Sequence, residues 1–97
     1  MNTIIPPSVT EIGDSAFSGC SSLTSISILP SVTKIGGSAF SGCSSLTSIS
    51  IPPSVTGIGY RAYSECYNLM SVFIPKGCNV HIGAFEDCPE NLVITRY

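Results

Sequence analysis

The amino-acid sequence predicts a mainly β solenoid, a right-handed stack of about four coils with a period of 23 residues. The first observation behind this prediction is an internal repeat: residues 7–29 and 30–52 are the same at 20 of 23 positions. The second is an alternation of apolar and hydroxyl side chains in residues 23–28, which is typical of a half-buried β-strand. The third is the shortness of the repeat. One unit cannot bury its own apolar face and must stack on its neighbours.

The period divides the chain, read as a single domain over residues 1–97, into four units. Coils 1, 2 and 3 cover about residues 7–29, 30–52 and 53–75, and an irregular coil 4 covers 76–97. Equivalent side chains should lie above one another along the stack. The predicted columns are Leu23, Leu46 and Leu69; Phe17, Phe40 and Tyr63; and Cys20, Cys43, Cys66 and Cys88.

Each coil is predicted to contain short strands and one turn of helix. Besides the strand in residues 23–28, the β-branched segment 8–12 favours a second short strand. Gly13 permits a tight bend at low steric cost. Residues 14–19 are too few for a stable α-helix but fit a single helical turn capped by Asp14.

Composition argues against nucleic-acid and membrane partners. Charged residues make up 10% of the chain, the net charge is -2, and no basic cluster is present. A surface that binds nucleic acid or anionic lipid needs cationic side chains. The chain has no apolar run of about 18 residues that could span a bilayer. Residues 1–7 lack the features of a signal peptide, so a secreted parent protein would carry its signal outside this chain.

The segment from Leu46 to Cys66 resembles the BspA-type leucine-rich repeat. It reads Leu-x-x-Ile-x-Ile-Pro-x-x-Val-x-x-Ile-Gly-x-x-Ala-Tyr-x-x-Cys, and its period lies within the range of leucine-rich repeats. The resemblance covers about residues 6–94. It implies a cell-surface or secreted protein linked to adhesion, with no shared catalytic site. Residues 76–83 align with the preceding repeats only if one residue is deleted, which is consistent with a C-terminal cap that has diverged from the repeat.

The cysteines predict a column of buried thiols. Four of the five share one repeat position, so neighbours should lie about 4.7–4.9 Å apart, the spacing of adjacent strands. A buried free cysteine behaves as a small apolar residue. Disulfides between neighbouring coils are the alternative. Zinc is disfavoured because the chain has no CxxC motif and one histidine, and no metal or cofactor is predicted. Cys78 stands outside the column.

No combination of residues predicts an enzyme. The segment 13–15, Gly-Asp-Ser, resembles the surroundings of some nucleophilic serines, but it lies at the bend of the repeat. A nucleophilic serine needs an adjacent base, and the one histidine, His81, lies in coil 4. Glu86, Asp87 and Glu90 could act as paired carboxylates. They are interpreted as a solvated capping face, with weak cation binding as the alternative.

Coil 3 supplies the candidate binding site, because large side chains there replace the small hydroxyl residues of coils 1 and 2. Since Ser27 and Ser50 are predicted to face outward, the equivalent Phe73 should do so too. Aromatic residues and arginine are enriched at binding hot spots. The alternative is divergence without function, or packing against another coil or chain. The predicted contact patch, called the coil-3 patch, comprises Tyr60, Arg61, Tyr67 and Phe73.

The sequence therefore predicts a non-enzymatic binding module that contacts protein or glycan through the solenoid surface. The alternative is a structural spacer or a self-assembling segment, because coils 1 and 2 offer few chemical features for recognition. Residues 4–7 supply no obvious cap over coil 1. Exposed strand edges and core residues such as Phe17 and Leu23 would then favour a homo-oligomer through the N-terminal coil.

Overall fold

The computed structural model of the chain describes residues 2–4 and 6–97, with side chains from residue 6 onward. The chain forms a mainly β parallel solenoid of about 4 turns with about 23 residues each, which confirms the predicted fold class. The described residues contain short strands throughout. The strands are β1 (Asn2–Ile4), β2 (Glu11–Ile12), β3 (Ser25–Ser27), β4 (Lys34–Ile35), β5 (Ser48–Ser50), β6 (Gly57–Ile58), β7 (Ser71–Ile74), β8 (Asn79–Val80) and β9 (Val93–Arg96).

Every strand pairs in parallel with a strand from a neighbouring coil. The pairs form three sheets with the orders β1-β3, β2-β4-β6-β8 and β5-β7-β9. Ile12 lies opposite Ile35, and Ile35 opposite Ile58, so equivalent residues of coils 1 to 3 are in register. In coil 4 the partner of Ile58 is Val80, one residue earlier than the period requires.

The missing residue of coil 4 lies between a turn and β8. In coil 3 a turn closes from the Val55 N–H to the Pro52 carbonyl, and in coil 4 the corresponding turn closes from the Cys78 N–H to the Pro75 carbonyl. Strand β6 begins two residues after Val55, whereas β8 begins directly after Cys78. Cys78 therefore takes the core position of Val55 and is buried.

The core consists of columns that run along the stack. Leu23, Leu46 and Leu69 are fully buried, as the repeat predicts. The aromatic column is stacked and extends into coil 4 through Phe85. Its ring centroids are 5.2 Å apart for Phe17–Phe40, 4.9 Å for Phe40–Tyr63 and 5.5 Å for Tyr63–Phe85.

The cysteines are free thiols, and the predicted thiol column is present. Cys43 and Cys66 are buried, while Cys20 and Cys88 at the two ends are half-buried. The thiols of coils 2, 3 and 4 each donate a hydrogen bond to the carbonyl of an aromatic residue in the preceding coil. The sulfur-to-oxygen distances are 3.2 Å from Cys43 to Phe17, 3.4 Å from Cys66 to Phe40 and 3.1 Å from Cys88 to Tyr63.

The predicted one-turn helices are wrong, because the described residues contain no helix. Residues 14–19 form consecutive turns instead. The φ angle is 59° at Ser15, and 57° at the equivalent Ser38 and Arg61. This is the left-handed region, which a right-handed helix does not use.

Hydrogen bonds between coils explain why the turns replace a helix. The Phe17 N–H donates to the Ala39 carbonyl at 2.7 Å, and the Phe40 N–H donates to the Ala62 carbonyl at 2.6 Å. Stacking thus satisfies backbone groups that a helix would have used along its own chain. Asp14 likewise does not cap its own coil. Its Oδ1 accepts a hydrogen bond from the Gly37 N–H, in coil 2, at 2.9 Å.

Coil 1 is better covered than the sequence predicts. Strand β1 pairs with β3 through the partners Asn2–Ser25, Thr3–Ile26 and Ile4–Ser27. Leu23 is fully buried, so the prediction of its exposure is wrong, whereas Phe17 is half-buried. The predicted lack of a cap over residues 4–7 includes Ile5, which lies outside the described residues.

Within residues 2–4 and 6–97, no helix has the length and apolar character needed to cross a bilayer.

Candidate functional site

Tyr60 and Arg61 form one half of the coil-3 patch, directly after β6. The Tyr60 ring meets the His81 ring edge-on, with centroids 5.0 Å apart, and the Arg61 guanidinium lies 5.2 Å from the Tyr60 centroid. Arg61 Nε lies 3.5 Å from Glu86 Oε2. The Glu86 carboxylate raises the pKa of Arg61, which therefore stays cationic. The guanidinium thus lies over one face of the Tyr60 ring in a cation–π contact, and His81 contacts the same ring edge-on.

Tyr67 lies on the turn that follows Cys66. Its hydroxyl donates a hydrogen bond to Glu65 Oε2 at 3.2 Å. This hydrogen bond, together with the negative charge of Glu65, raises the pKa of Tyr67. The phenol thus remains neutral near physiological pH and can pack against an apolar surface.

Phe73 lies on β7 between Ser50 of β5 and Thr95 of β9. Its strand neighbours Val72 and Ile74 are buried. The alternation along the strand therefore directs the Phe73 ring to solvent, between the hydroxyl side chains of Ser50 and Thr95.

The structure does not gather the coil-3 patch into one surface. Tyr60 and Arg61 contact each other after β6, which belongs to the sheet β2-β4-β6-β8. Phe73 belongs to the sheet β5-β7-β9, and Tyr67 lies on the turn between them. All of the ring-bearing members are exposed, with Tyr60 at 49%, Tyr67 at 58% and Phe73 at 44%.

A second feature, which sequence reasoning missed, is a shallow depression across the outer face of the sheet β2-β4-β6-β8. Its volume is about 730 Å³. Alternation along the two-residue strands explains its position, because Ile12, Ile35 and Ile58 are buried and leave the preceding residues facing outward. Its polar lining comprises Glu11, Asp14, Lys34, Asn79 and His81.

The floor of this depression consists of glycines and of the nearly buried side chains of Ile12, Ile35 and Ile58. Gly36, Gly57 and Gly59 line it. Close approach of the coils excludes larger residues at two of these positions. A Cβ on Gly36 would lie 2.6 Å from Asp14 Oδ1, and a Cβ on Gly59 would lie 2.7 Å from the Gly37 nitrogen. The smooth floor is therefore a consequence of how the coils stack.

A sequence signal for the depression exists in the differences between coils 1 and 2. Those coils differ at the position pairs Glu11/Lys34, Asp14/Gly37 and Leu29/Pro52. The first pair lines the depression on both coils, and Asp14 of the second pair lines it too. Two of these three differences thus involve one face, which the pattern within a single coil does not reveal.

In the part of the chain that the structure describes, no group of three or more His, Cys, Asp or Glu side chains is placed to hold a metal ion. The acidic residues of coil 4 are instead solvent-facing, with Glu86 engaged by Arg61.

The family model described as "BspA type Leucine rich repeat region (6 copies)" matches residues 1–95. The chain belongs to this family. The match confirms the resemblance carried by the segment from Leu46 to Cys66. A search of curated proteins found no significant match.

Solved structures of bacterial leucine-rich repeat proteins share the fold. The T. pallidum leucine-rich repeat protein TpLRR is 26% identical with a TM-score of 0.76, over 95% of this chain and 57% of that one. A leucine-rich repeat protein from Bacteroides ovatus ATCC 8483 is 27% identical with a TM-score of 0.66, over 99% of this chain and 30% of that one. This BspA-type chain therefore spans less than two-thirds of the length of either protein.

Proposed function

We propose that this BspA-type chain is a non-enzymatic binding module of a cell-surface or secreted protein, contacting protein or glycan through the outer surface of its solenoid. Membership of a leucine-rich repeat family supports a protein-interaction module. Stacked repeats offer extended surfaces on rigid backbone, which suits recognition of large ligands. The adhesion role and the cell-surface setting rest on the family resemblance.

The observation that carries this proposal is the exposure of aromatic rings on coil 3. Where coils 1 and 2 present serine, coil 3 presents Tyr67 and Phe73 to solvent. Tyr60 is held by His81 and Arg61, so little side-chain freedom is lost when a ligand covers it. Because the rings lie on different sides of coil 3, a ligand that contacts all of them must wrap around that coil.

A binding screen against extracellular-matrix proteins and glycans tests the proposal. We expect a ligand that binds the wild-type chain and is lost in the variant Tyr60→Ser, Tyr67→Ser, Phe73→Ser. Met70→Ser is the matched control, because Met70 is an exposed apolar residue outside the coil-3 patch and outside the depression that Tyr60 lines. Binding that survives the triple variant, or that Met70→Ser also removes, would contradict the assignment to this patch.

A self-assembling segment is the second candidate, and the exposed apolar side chains of strand β9 favour it. Val93 is 59% and Ile94 46% exposed, and β9 pairs within the described chain with β7 alone. An apolar edge strand is a template for pairing with another chain. A molar mass that rises with concentration in light scattering, and falls back in Ile94→Lys, would support this function. A constant monomer mass over a wide concentration range would exclude it.

A further inference from the structure

We propose that the depression on the sheet β2-β4-β6-β8 is a binding site for a neutral oligosaccharide, centred on Gly57. The inference rests on the proposed binding function and specifies a ligand class and a site for it. Four observations of the depression support it: its shape, the chemistry of its polar groups, its aromatic edge and the location of the departures from the repeat.

The shape suits a flat, extended ligand. The volume of about 730 Å³ lies within the range of small-molecule sites, about 300–1,000 Å³. Glycine Cα atoms at positions 36, 57 and 59 make a floor without projecting side chains. A sugar ring presents one such flat face of C–H groups, and its hydroxyl groups point sideways toward the walls.

The walls provide both hydrogen-bond acceptors and donors. Glu11 and Asp14 carry carboxylates, Lys34 carries an ammonium group and Asn79 carries an amide. His81 Nδ1 accepts a hydrogen bond from the Gly83 N–H at 3.2 Å, which leaves Nε2–H of the neutral ring as a donor. Because this face carries charges of both signs, it complements a ligand with neutral hydroxyl groups better than it complements an anionic or a cationic ligand.

The same geometry disfavours a peptide. Peptide grooves use apolar pockets for anchor residues or free strand edges for backbone pairing. Here Ile35 and Ile58 line the depression but are only 2% and 3% exposed, so they form no open pocket for an anchor side chain. Strands β4 and β6 are paired on both sides, so their backbone is already engaged.

An aromatic ring stands at one end of the depression. His81 and Val80 line both this depression and an adjoining one of about 640 Å³, which Tyr60 also lines. The edge-on contact with His81 orients the Tyr60 ring at this boundary. An exposed, oriented ring is a platform on which the C–H face of a terminal sugar can pack.

Two of the three differences between coils 1 and 2 involve this face. Coils 1 and 2 are otherwise nearly the same, yet Glu11 and Lys34 place opposite charges at neighbouring positions of β2 and β4. Asp14 adds a carboxylate beside the position where coil 2 has Gly37.

Substitution of Gly57 tests the site without disturbing the fold. A Cβ at Gly57 has Asn79 O as its nearest neighbour, at 4.0 Å, and the φ of Gly57 is not positive, so Gly57→Leu should fold and fill the depression. Gly77→Leu is the matched control. A Cβ at Gly77 meets nothing within 4 Å, and Gly77 lies in a turn outside the depression.

The experiment is an NMR titration of the full chain with cellotriose, maltotriose and chitotriose. We expect at least one trisaccharide to bind with a Kd of about 1 mM and to shift the amide signals of Gly57, Gly59 and His81. Gly57→Leu should weaken that binding by at least about tenfold, whereas Gly77→Leu should leave it unchanged.

Three results would overturn the inference. They are no shift with any of the trisaccharides, binding that Gly57→Leu retains, and binding of an anionic heparin tetrasaccharide in place of the neutral sugars. A matrix-protein ligand that is lost in the coil-3 patch variant, with no trisaccharide bound, would leave the proposed function standing and reject this site. Trisaccharide binding that is lost in Gly57→Leu but kept in Tyr67→Ser, Phe73→Ser, which leaves Tyr60 in place, would support this site and reject the rest of the coil-3 patch.

Discussion

At the scale of single residues, the hydroxyl group of Tyr63 conflicts with its surroundings. The side chain is fully buried in the aromatic column, and its hydroxyl has no hydrogen-bond partner among the described residues. Phe17, Phe40 and Phe85 stack at the equivalent positions without a polar group. Burial raises the pKa of Tyr63 well above its ordinary value, so the phenol stays neutral. An unpaired buried hydroxyl costs about 1–3 kcal/mol.

Tyr63→Phe is therefore expected to raise the free energy of unfolding by about 1 kcal/mol, measured by urea denaturation. Tyr97→Phe is the control, because the Tyr97 hydroxyl donates to the Ile51 carbonyl. Loss of this hydrogen bond should lower the free energy of unfolding by about 1 kcal/mol. A decrease in Tyr63→Phe would show that the buried hydroxyl has a partner in solution.

At the scale of elements, the spacing between coils depends on particular glycines after the short strands. Gly59 follows β6, and a Cβ there would lie 2.7 Å from the Gly37 nitrogen and 2.9 Å from the Gly36 carbonyl carbon. Both atoms belong to the backbone of coil 2, so they can move only if the coils separate. Two residues earlier, in β6 itself, Gly57 has open space.

We expect Gly59→Ala to lower the free energy of unfolding by about 1–3 kcal/mol, because the two coils must shift apart. Gly57→Ala, the matched control, should be neutral or stabilise by about 0.5 kcal/mol, because alanine loses less backbone freedom on folding. Thermal unfolding of both variants measures the difference. Equal changes in the free energy of unfolding for Gly59→Ala and Gly57→Ala would show that close packing at Gly59 does not set the spacing between coils 2 and 3.

At the scale of the whole molecule, the thiol column links stability to alkaline pH. Burial, and to a smaller extent neighbouring Cys20, raises the pKa of Cys43 from 9.0 to about 11. The folded chain thus keeps the Cys43 proton at a pH at which the unfolded chain has released it. This contribution to stability is complete below pH 9 and is lost as the pH rises toward the folded-state pKa.

Urea denaturation should therefore give a free energy of unfolding that is lower at about pH 10.5 than at about pH 7, by about 2 kcal/mol from Cys43 alone. The thiol of Cys43 is fully buried, so solvent screening does not reduce this effect. Cys43→Ala should show a smaller difference between the two pH values. If the free energy of unfolding of Cys43→Ala differed between the two pH values as much as that of the wild-type chain, then groups other than Cys43 would cause the alkaline sensitivity.

Much of this architecture is predictable from the sequence, because a strict period forces equivalent residues onto one line along the stack. The buried leucines, the stacked rings from Phe17 to Tyr63 and the thiol column follow from that condition. The outward direction of Phe73 follows from alternation along its strand. The burial of Cys78 does not follow from the period, because it depends on where coil 4 omits a residue.

The sequence by itself determined the repeat, the short strands and the identity of the core columns, since these depend on periodic burial of apolar side chains. Only the tertiary structure decided that the segments after Gly13 and Gly36 are turns, because hydrogen bonds from neighbouring coils outweigh the local preference for a helical turn. It also decided which outward side chains share a face, separating Phe73 from Tyr60 and joining Glu11, Lys34 and His81. Outward residues make no core contacts, so their grouping appears when the coils are stacked and leaves no period in the sequence.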